Sequence, residues 1–380
     1  MRQRIERDIR SWDEIADHRT GTEGASRTSS WLAREINNCG LKPRIDWFAF
    51  ERRVLHECSV RTDLHHAEGV PLFDGGYYTD VHGFSGELGA LDSDATIGLT
   101  EFSPSPRANA SLEAARRDSG FAAIVAVARG DTVRPGLSLL NADAYRTPFG
   151  PPVLQVATEH RDWLHAARDN ATPVQLNAHV TLETTRASNV QVRIPGRDSS
   201  LAPLIIMTPL SAWWTCTSER AGGITIWLEC IRFFAANPPD RDLIFTANTG
   251  HELGHVGLDH YLKQNPRLIH EAHAWIHLGA NFAALNSRIR FQASNALLQS
   301  QGLRAFENQN ITIADLTPLD ERPYGEARNI YDGDGQYISL LGSNSLFHHP
   351  DDRWPEAVDL EQTLQVTRAM LQLAAQLARA

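Results

Sequence analysis

The stretch RDLIFTANTGHELGHVGLDHYLKQ (residues 241–264) decides how the rest of the chain is read. RDLIFTAN is a short apolar run of the kind that makes a buried strand. GHVGLDHYLKQNP reads as a helix that stops at Asn265-Pro266. Between the two lies His251-Glu252-Leu253-Gly254-His255, an H-E-x-x-H pattern. Within a helix, that pattern sets two imidazoles one turn apart to hold zinc, with the glutamate placed to activate water. Here only Thr249-Gly250 separate the strand from His251, so the pattern falls on a strand-to-helix turn. His260, the nearest candidate third ligand, is one position short of H-E-x-x-H-x-x-G-x-x-H spacing. The zinc-helix reading is therefore disfavoured, and the strand-end reading is taken.

Outward from this turn, strand and helix patterns alternate. APLIIMTPL (202–210) reads as a strand, and GGITIWLECIRFFAANPP (222–239) as a helix opening after its glycines and stopping at its prolines. AHAWIHLGAN (272–281) is a further strand. This order predicts an α/β fold with a mostly parallel central sheet and helices on both faces, its chemistry at the carboxyl ends of the strands. Residues 1–40 carry apolar positions Ile5, Ile9, Trp12 and Ile15, then Trp31, Leu32 and Ile36, at helical spacing. RIDWFAFERRVLHECSVR (44–61) alternates like a pair of strands. From 62 to 185 the texture changes: Gly, Pro, Asp and Ser punctuate short apolar runs such as ATIGLTEF and FAAIVAVA, with ASLEAARRDSG as a crossover helix. That segment is expected to be a small inserted α/β domain, leaving 1–61 and 186–380 as the main domain. A long amphipathic helix closes the chain.

Composition narrows the class. A formal net charge of −10 with no basic cluster argues against nucleic-acid and membrane-surface partners. Cys39, Cys58, Cys216 and Cys230 lack C-x-x-C spacing and read as reduced thiols. The N-terminal segment lacks the apolar core of a signal peptide, and no run approaches a membrane span. The expectation is a cytoplasmic protein.

In order and spacing, MTPLSAW, ERAGGITIWLECIR, GHELGHVGLDHY, HLGAN and FHHPDDRWPE resemble the motifs of the zinc aminopeptidase, glutamate carboxypeptidase and glutaminyl cyclase family of α/β metalloenzymes. The resemblance covers residues 1–60 and 186–380, and the 62–185 segment resembles the protease-associated domain often inserted there. It implies metal ligands at Glu219, Glu252 and His348, matching the bridging Asp, the second Glu of G-E-E-x-G and the His of Y-H-T. The private ligands of a second metal fall at Pro209 and Gly279, neither of which can ligate. One divalent metal, zinc, is thus expected, in the manner of the glutaminyl cyclase branch. His251 stands where the family keeps its general base, and an imidazole there could move a proton. Trp213, Trp214, Arg220, His277 and Asn281 are candidate pocket residues. Each has a plainer reading: Glu252 as a helix cap, Glu219 as an ion-pair partner of Arg220, and the tryptophans as core. The implied function is a mononuclear metal-dependent enzyme acting at an amide or acyl group of a small or short peptide-like substrate, by hydrolysis or by cyclisation. A catalytically inactive homologue keeping only a ligand pocket is the alternative.

Overall fold

The computed structural model describes residues 1–105, 108–118 and 120–380. Four parallel strands form the centre of the main sheet, in the order Tyr337–Gly342, Ala274–Leu278, Leu204–Pro209, Leu243–Asn248. Antiparallel strands flank this centre, Ile289–Ala293 on one side and the long Val174–Ile194 on the other. The sheet is therefore mostly parallel with some antiparallel members. The central strands are almost wholly buried, which is why they read as continuous apolar runs.

RIDWFAFERRVLHECSVR is one strand, Arg44–Arg61, not the expected pair. Its alternation runs through a bulge between Leu55 and Cys58 while it pairs along Val174–Ile194. This two-stranded ribbon runs from the main sheet towards a smaller one, and residue 185, the expected boundary, lies inside the second strand. Beyond the ribbon, strands His66–Pro71, Val153–Val156, Ala123–Ala128 and Ile97–Phe102 make a smaller sheet, with helix Ala110–Asp118 between the last two in sequence.

The helix expected to open after its glycines opens before them, at Thr217, and runs to Ala236. Asp352 caps it, accepting the Ser218 and Glu219 amides at 2.8 and 3.1 Å. Gly222 and Gly223 then lie inside the helix at a close approach. A Cβ on Gly223 would stand 2.7 Å from Thr208 Oγ1 and 3.0 Å from Leu278 O. Packing against the sheet outweighs the helix penalty of about 1 kcal/mol per glycine. Trp227 on the same helix donates its indole N–H to Ile206 O (3.1 Å). Among the described residues, no helix is long and apolar enough to cross a membrane.

His18 is stacked on Trp12 at 3.7 Å between ring centroids, with its ring nitrogens at Thr28 Oγ1 (2.9 Å) and Trp12 O (3.2 Å). Burial lowers its pKa to about 3, against the partly opposing Trp12 carbonyl. The unfolded state, with the imidazole near its usual 6.5, takes up a proton that the folded state refuses. Stability from this residue is present above about pH 6.5 and falls by about 1.4 kcal/mol per pH unit down to the folded value. Urea unfolding of wild type and His18→Gln at pH 7 and pH 5 should show a smaller acid loss in the variant. Equal losses would remove His18 from the acid sensitivity.

Candidate active-site cluster

Side chains from three strand ends and one loop meet at the carboxyl edge of the parallel sheet. Strand Leu204–Pro209 delivers Ser211, Trp213 and Trp214, and the helix after it delivers Glu219 and Arg220. Strand Leu243–Asn248 leads into a turn at Gly250 (φ +73°), where a Cβ would lie 2.1 Å from Val256 Cγ2. A single 3-10 turn, His251–Leu253, follows, and helix Val256–Gln264 starts only after left-handed Gly254 and His255. The H-E-x-x-H residues thus do not share a helix, as the strand-end reading expected. Strand Ala274–Leu278 supplies His277, and the 343–359 loop supplies His348 and Asp352.

Arg220 is the centre of this cluster. Its fully buried guanidinium places Nη2 2.9 Å from Glu219 Oε1 and 2.7 Å from Glu252 Oε1, while Nε donates to Ser211 O at 2.9 Å. Ser211 Oγ donates to Glu252 Oε2 (2.6 Å) and accepts the Gly250 and His251 amides. Burial by itself would raise the Glu219 carboxyl, but the Arg220 charge, helped by His348, brings it to about 2. Burial would likewise weaken the guanidinium, and the two carboxylates more than reverse this. His348, in a left-handed conformation (φ +57°), has Nε2 3.4 Å from Glu219 Oε1 and Nδ1 at Leu139 O, 2.6 Å away.

Glu219, Glu252 and His348 are therefore brought to one place, but around a guanidinium. In this arrangement the trio does not fit a metal held by all three: Arg220 stands between the carboxylates, and both oxygens of Glu252 are taken. Among the described residues, the only three potential ligand atoms within 4.8 Å of one another belong to Cys216, Glu219 and Asp352. The Asp352 oxygens of that group are already committed to the helix amides. Burial raises the Asp352 carboxyl to about 7, partly opposed by those amides.

A second group lies beside the first. His251 Nδ1 is 3.6 Å from Glu326 Oε1, and His277 Nε2 is 3.8 Å from Glu326 Oε2. Burial raises Glu326 to about 8, lowers His277 to about 3 and lowers His251 well below the usual imidazole value. His255 stacks on His251 at 5.0 Å, and its Nδ1 meets Asn329 Oδ1 at 2.6 Å. Glu326 carries no signal in the sequence, lying in the irregular stretch RPYGEARN. Ser211 could have been found as a polar side chain just beyond a strand end. Asn281 is left-handed (φ +70°) and accepts from Asn344, and its amide N–H donates to Glu219 O.

The 134–146 loop lies against the cluster. The Ala142 amide donates to Glu252 O (2.8 Å), and the Arg134 amide to Ser345 O (2.7 Å). Trp213 Nε1 donates to Asn141 Oδ1 at 3.1 Å, and Trp214 Nε1 to His348 O at 3.0 Å. A crevice of about 270 Å³ lies beside this loop, its walls including Phe50, Arg53, Phe73, Tyr145, Trp213 and Glu252. A larger hollow of about 590 Å³ lies elsewhere, among Arg4, Arg7, Glu229 and Arg232, and contains none of the candidate site residues.

No protein-family model matches the chain, and no curated protein matches it. Solved structures do. The zinc aminopeptidase BSAP from Bacillus subtilis superposes with a TM-score of 0.78 at 13% identity, over 100% of this chain and 95% of that one. An aminopeptidase from Aneurinibacillus sp. strain AM-1 gives 0.74 at 13% identity, over 100% and 94%. A peptidase M28 precursor from Shewanella amazonensis gives 0.74 at 13%, over 100% and 97%. From end to end, this chain has the fold of the zinc aminopeptidases and M28 peptidases.

Proposed function

We propose that this chain is a peptidase-fold protein that binds a compact molecule carrying an amide or acyl group in the crevice beneath the inserted lobe. In this reading, the Glu219–Glu252 pair is served by the Arg220 guanidinium and not by a metal. The observation that carries it is the placement of Arg220 Nη2 within 2.9 Å of both carboxylates. A buried cation there neutralises charge that a metal would otherwise have to meet, and removing it would leave two buried carboxylates exposed to their mutual repulsion. The aromatic walls Phe50, Phe73, Tyr145 and Trp213, with Arg53 over the Tyr145 ring at 3.9 Å, suit an aromatic or apolar body with one polar end. The fold favours a second reading, the metal-dependent amide hydrolase or cyclising acyl transferase, with zinc at Glu219, Glu252 and His348 and His251 moving the proton.

Two measurements separate the readings. N-acetylphenylalanine amide should quench tryptophan fluorescence saturably, and Trp213→Leu should weaken this at least about tenfold, the loss of one central aromatic contact. Phenylalanine anilide should not be hydrolysed in the presence of zinc. Zinc-dependent hydrolysis that disappears in His348→Asn would establish the metallohydrolase instead.

A further inference from the structure

The His251–His277–Glu326 group gathers buried Lewis bases that the protein itself leaves without hydrogen bonds. Among buried side-chain atoms, His251 Nδ1, His277 Nε2 and both Glu326 oxygens have no hydrogen-bond partner. Glu326 and His277 are fully buried, and His251 is 8% exposed. The contacts of 3.6 and 3.8 Å are too long for hydrogen bonds. Leaving four such atoms unserved in a protein interior is costly, because each loses its water without gaining a partner. Something polar belongs between them.

We infer that His251, His277 and Glu326 form a binding site for one divalent cation of the zinc class, separate from the Glu219–Arg220–Glu252 cluster. Two imidazoles and a carboxylate are a common ligand set for such ions, and three protein ligands leave a position open. Ligand atoms around a tetrahedral zinc stand about 3.3–3.4 Å apart. Each nitrogen–oxygen pair here is within half an ångström of that edge. The trio as a whole is not gathered within 4.8 Å, so binding draws the two rings in around the carboxylate. The surroundings orient the rings for it. His277 Nδ1 is at Ser339 Oγ (2.9 Å), leaving Nε2 to face Glu326, as an outer partner does for a ligating histidine. Gly325, left-handed at φ +66°, brings Glu326 in directly beside the ring, where a Cβ would lie 2.9 Å from His277 Cε1. Among the described residues, no Lys or Arg is within ion-pair distance of Glu326 to supply the charge instead, since Arg328 is paired with Asp143 and Arg220 with Glu219 and Glu252.

Zinc alone is the probe. Full-length protein stripped with chelator and dialysed should take up about one zinc per chain, and cobalt in its place should give the visible absorption of a low-coordinate site. Glu326→Gln and His277→Asn, checked for folding by circular dichroism, should each weaken zinc binding by about a hundredfold or more. His348→Asn should bind zinc like the wild type. A folded wild type that takes up no zinc would mean that water alone serves these three side chains and would overturn the inference. So would wild-type zinc affinity in both Glu326→Gln and His277→Asn. Loss of zinc in His348→Asn with retention in Glu326→Gln would place the ion at Glu219, Glu252 and His348, which overturns this inference and the reading of Arg220 together.

Discussion

Replacing Arg220 with Met should cost the folded state about 3–5 kcal/mol, the penalty for stranding a buried charge without its partner. Glu219 and Glu252 would then face each other, buried, with no cation between them, and Ser211 O would lose its donor. Methionine keeps much of the aliphatic length, so the loss reports charge and hydrogen bonds more than volume. The check is equilibrium urea unfolding at neutral pH, followed by tryptophan fluorescence. A variant within about 1 kcal/mol of wild type would show that the carboxylates do not depend on the guanidinium. The triple variant Glu219→Gln, Glu252→Gln, Arg220→Met should recover part of the loss, because no buried charge is then unpaired.

The second large effect is steric. Gly257→Ala should destabilise by about 3 kcal/mol or more, at the upper end for overpacked sites. Its Cβ would stand 2.3 Å from Thr249 O and 2.6 Å from Asn189 Oδ1. Neither can move cheaply. Gly257 N donates to Thr249 O at 2.9 Å, Asn189 Nδ2 donates to Gly257 O at 2.8 Å, and Thr249 N donates to Asn189 Oδ1 at 3.1 Å. This closed ring of bonds ties the turn carrying His251 and Glu252 to the long ribbon strand. Gly120→Ala is the control, with nothing within 4 Å of its Cβ and an expected change of at most about 0.5 kcal/mol. Similar melting temperatures for the two variants would mean that the turn has slack which the bond lengths do not suggest.

What the sequence disclosed depended on range. Buried parallel strands announce themselves as unbroken apolar runs, so LIIMTP, LIFTAN and AWIHL could be placed without coordinates. The turn at 249–251 was legible because two residues between a strand and a histidine leave no room for a helix. The 44–61 strand was read as two because a bulge interrupts its period, and a bulge cannot be told from a turn by alternation alone. The start of the 217–236 helix was misplaced because its cap, Asp352, lies more than 130 residues away in the chain. Arg220 was assigned to the pocket, yet its position between two carboxylates depends on how the helix start packs against the 251–253 turn. Glu326 was invisible for the same reason: what gives it meaning is two imidazoles, one on a strand and one on a turn, distant in the chain.

The 134–146 loop bears on the affinity of the crevice as well as on its shape. It is tied to the site by two main-chain bonds, at Glu252 and Ser345, and by the His348 imidazole at Leu139 O. Tyr145, in the same loop, is one wall of the crevice. That wall is therefore held in place before anything enters, and a ligand has less ordering left to bring about. Shallow contacts in the crevice then count for more, because little of their energy goes into arranging the wall.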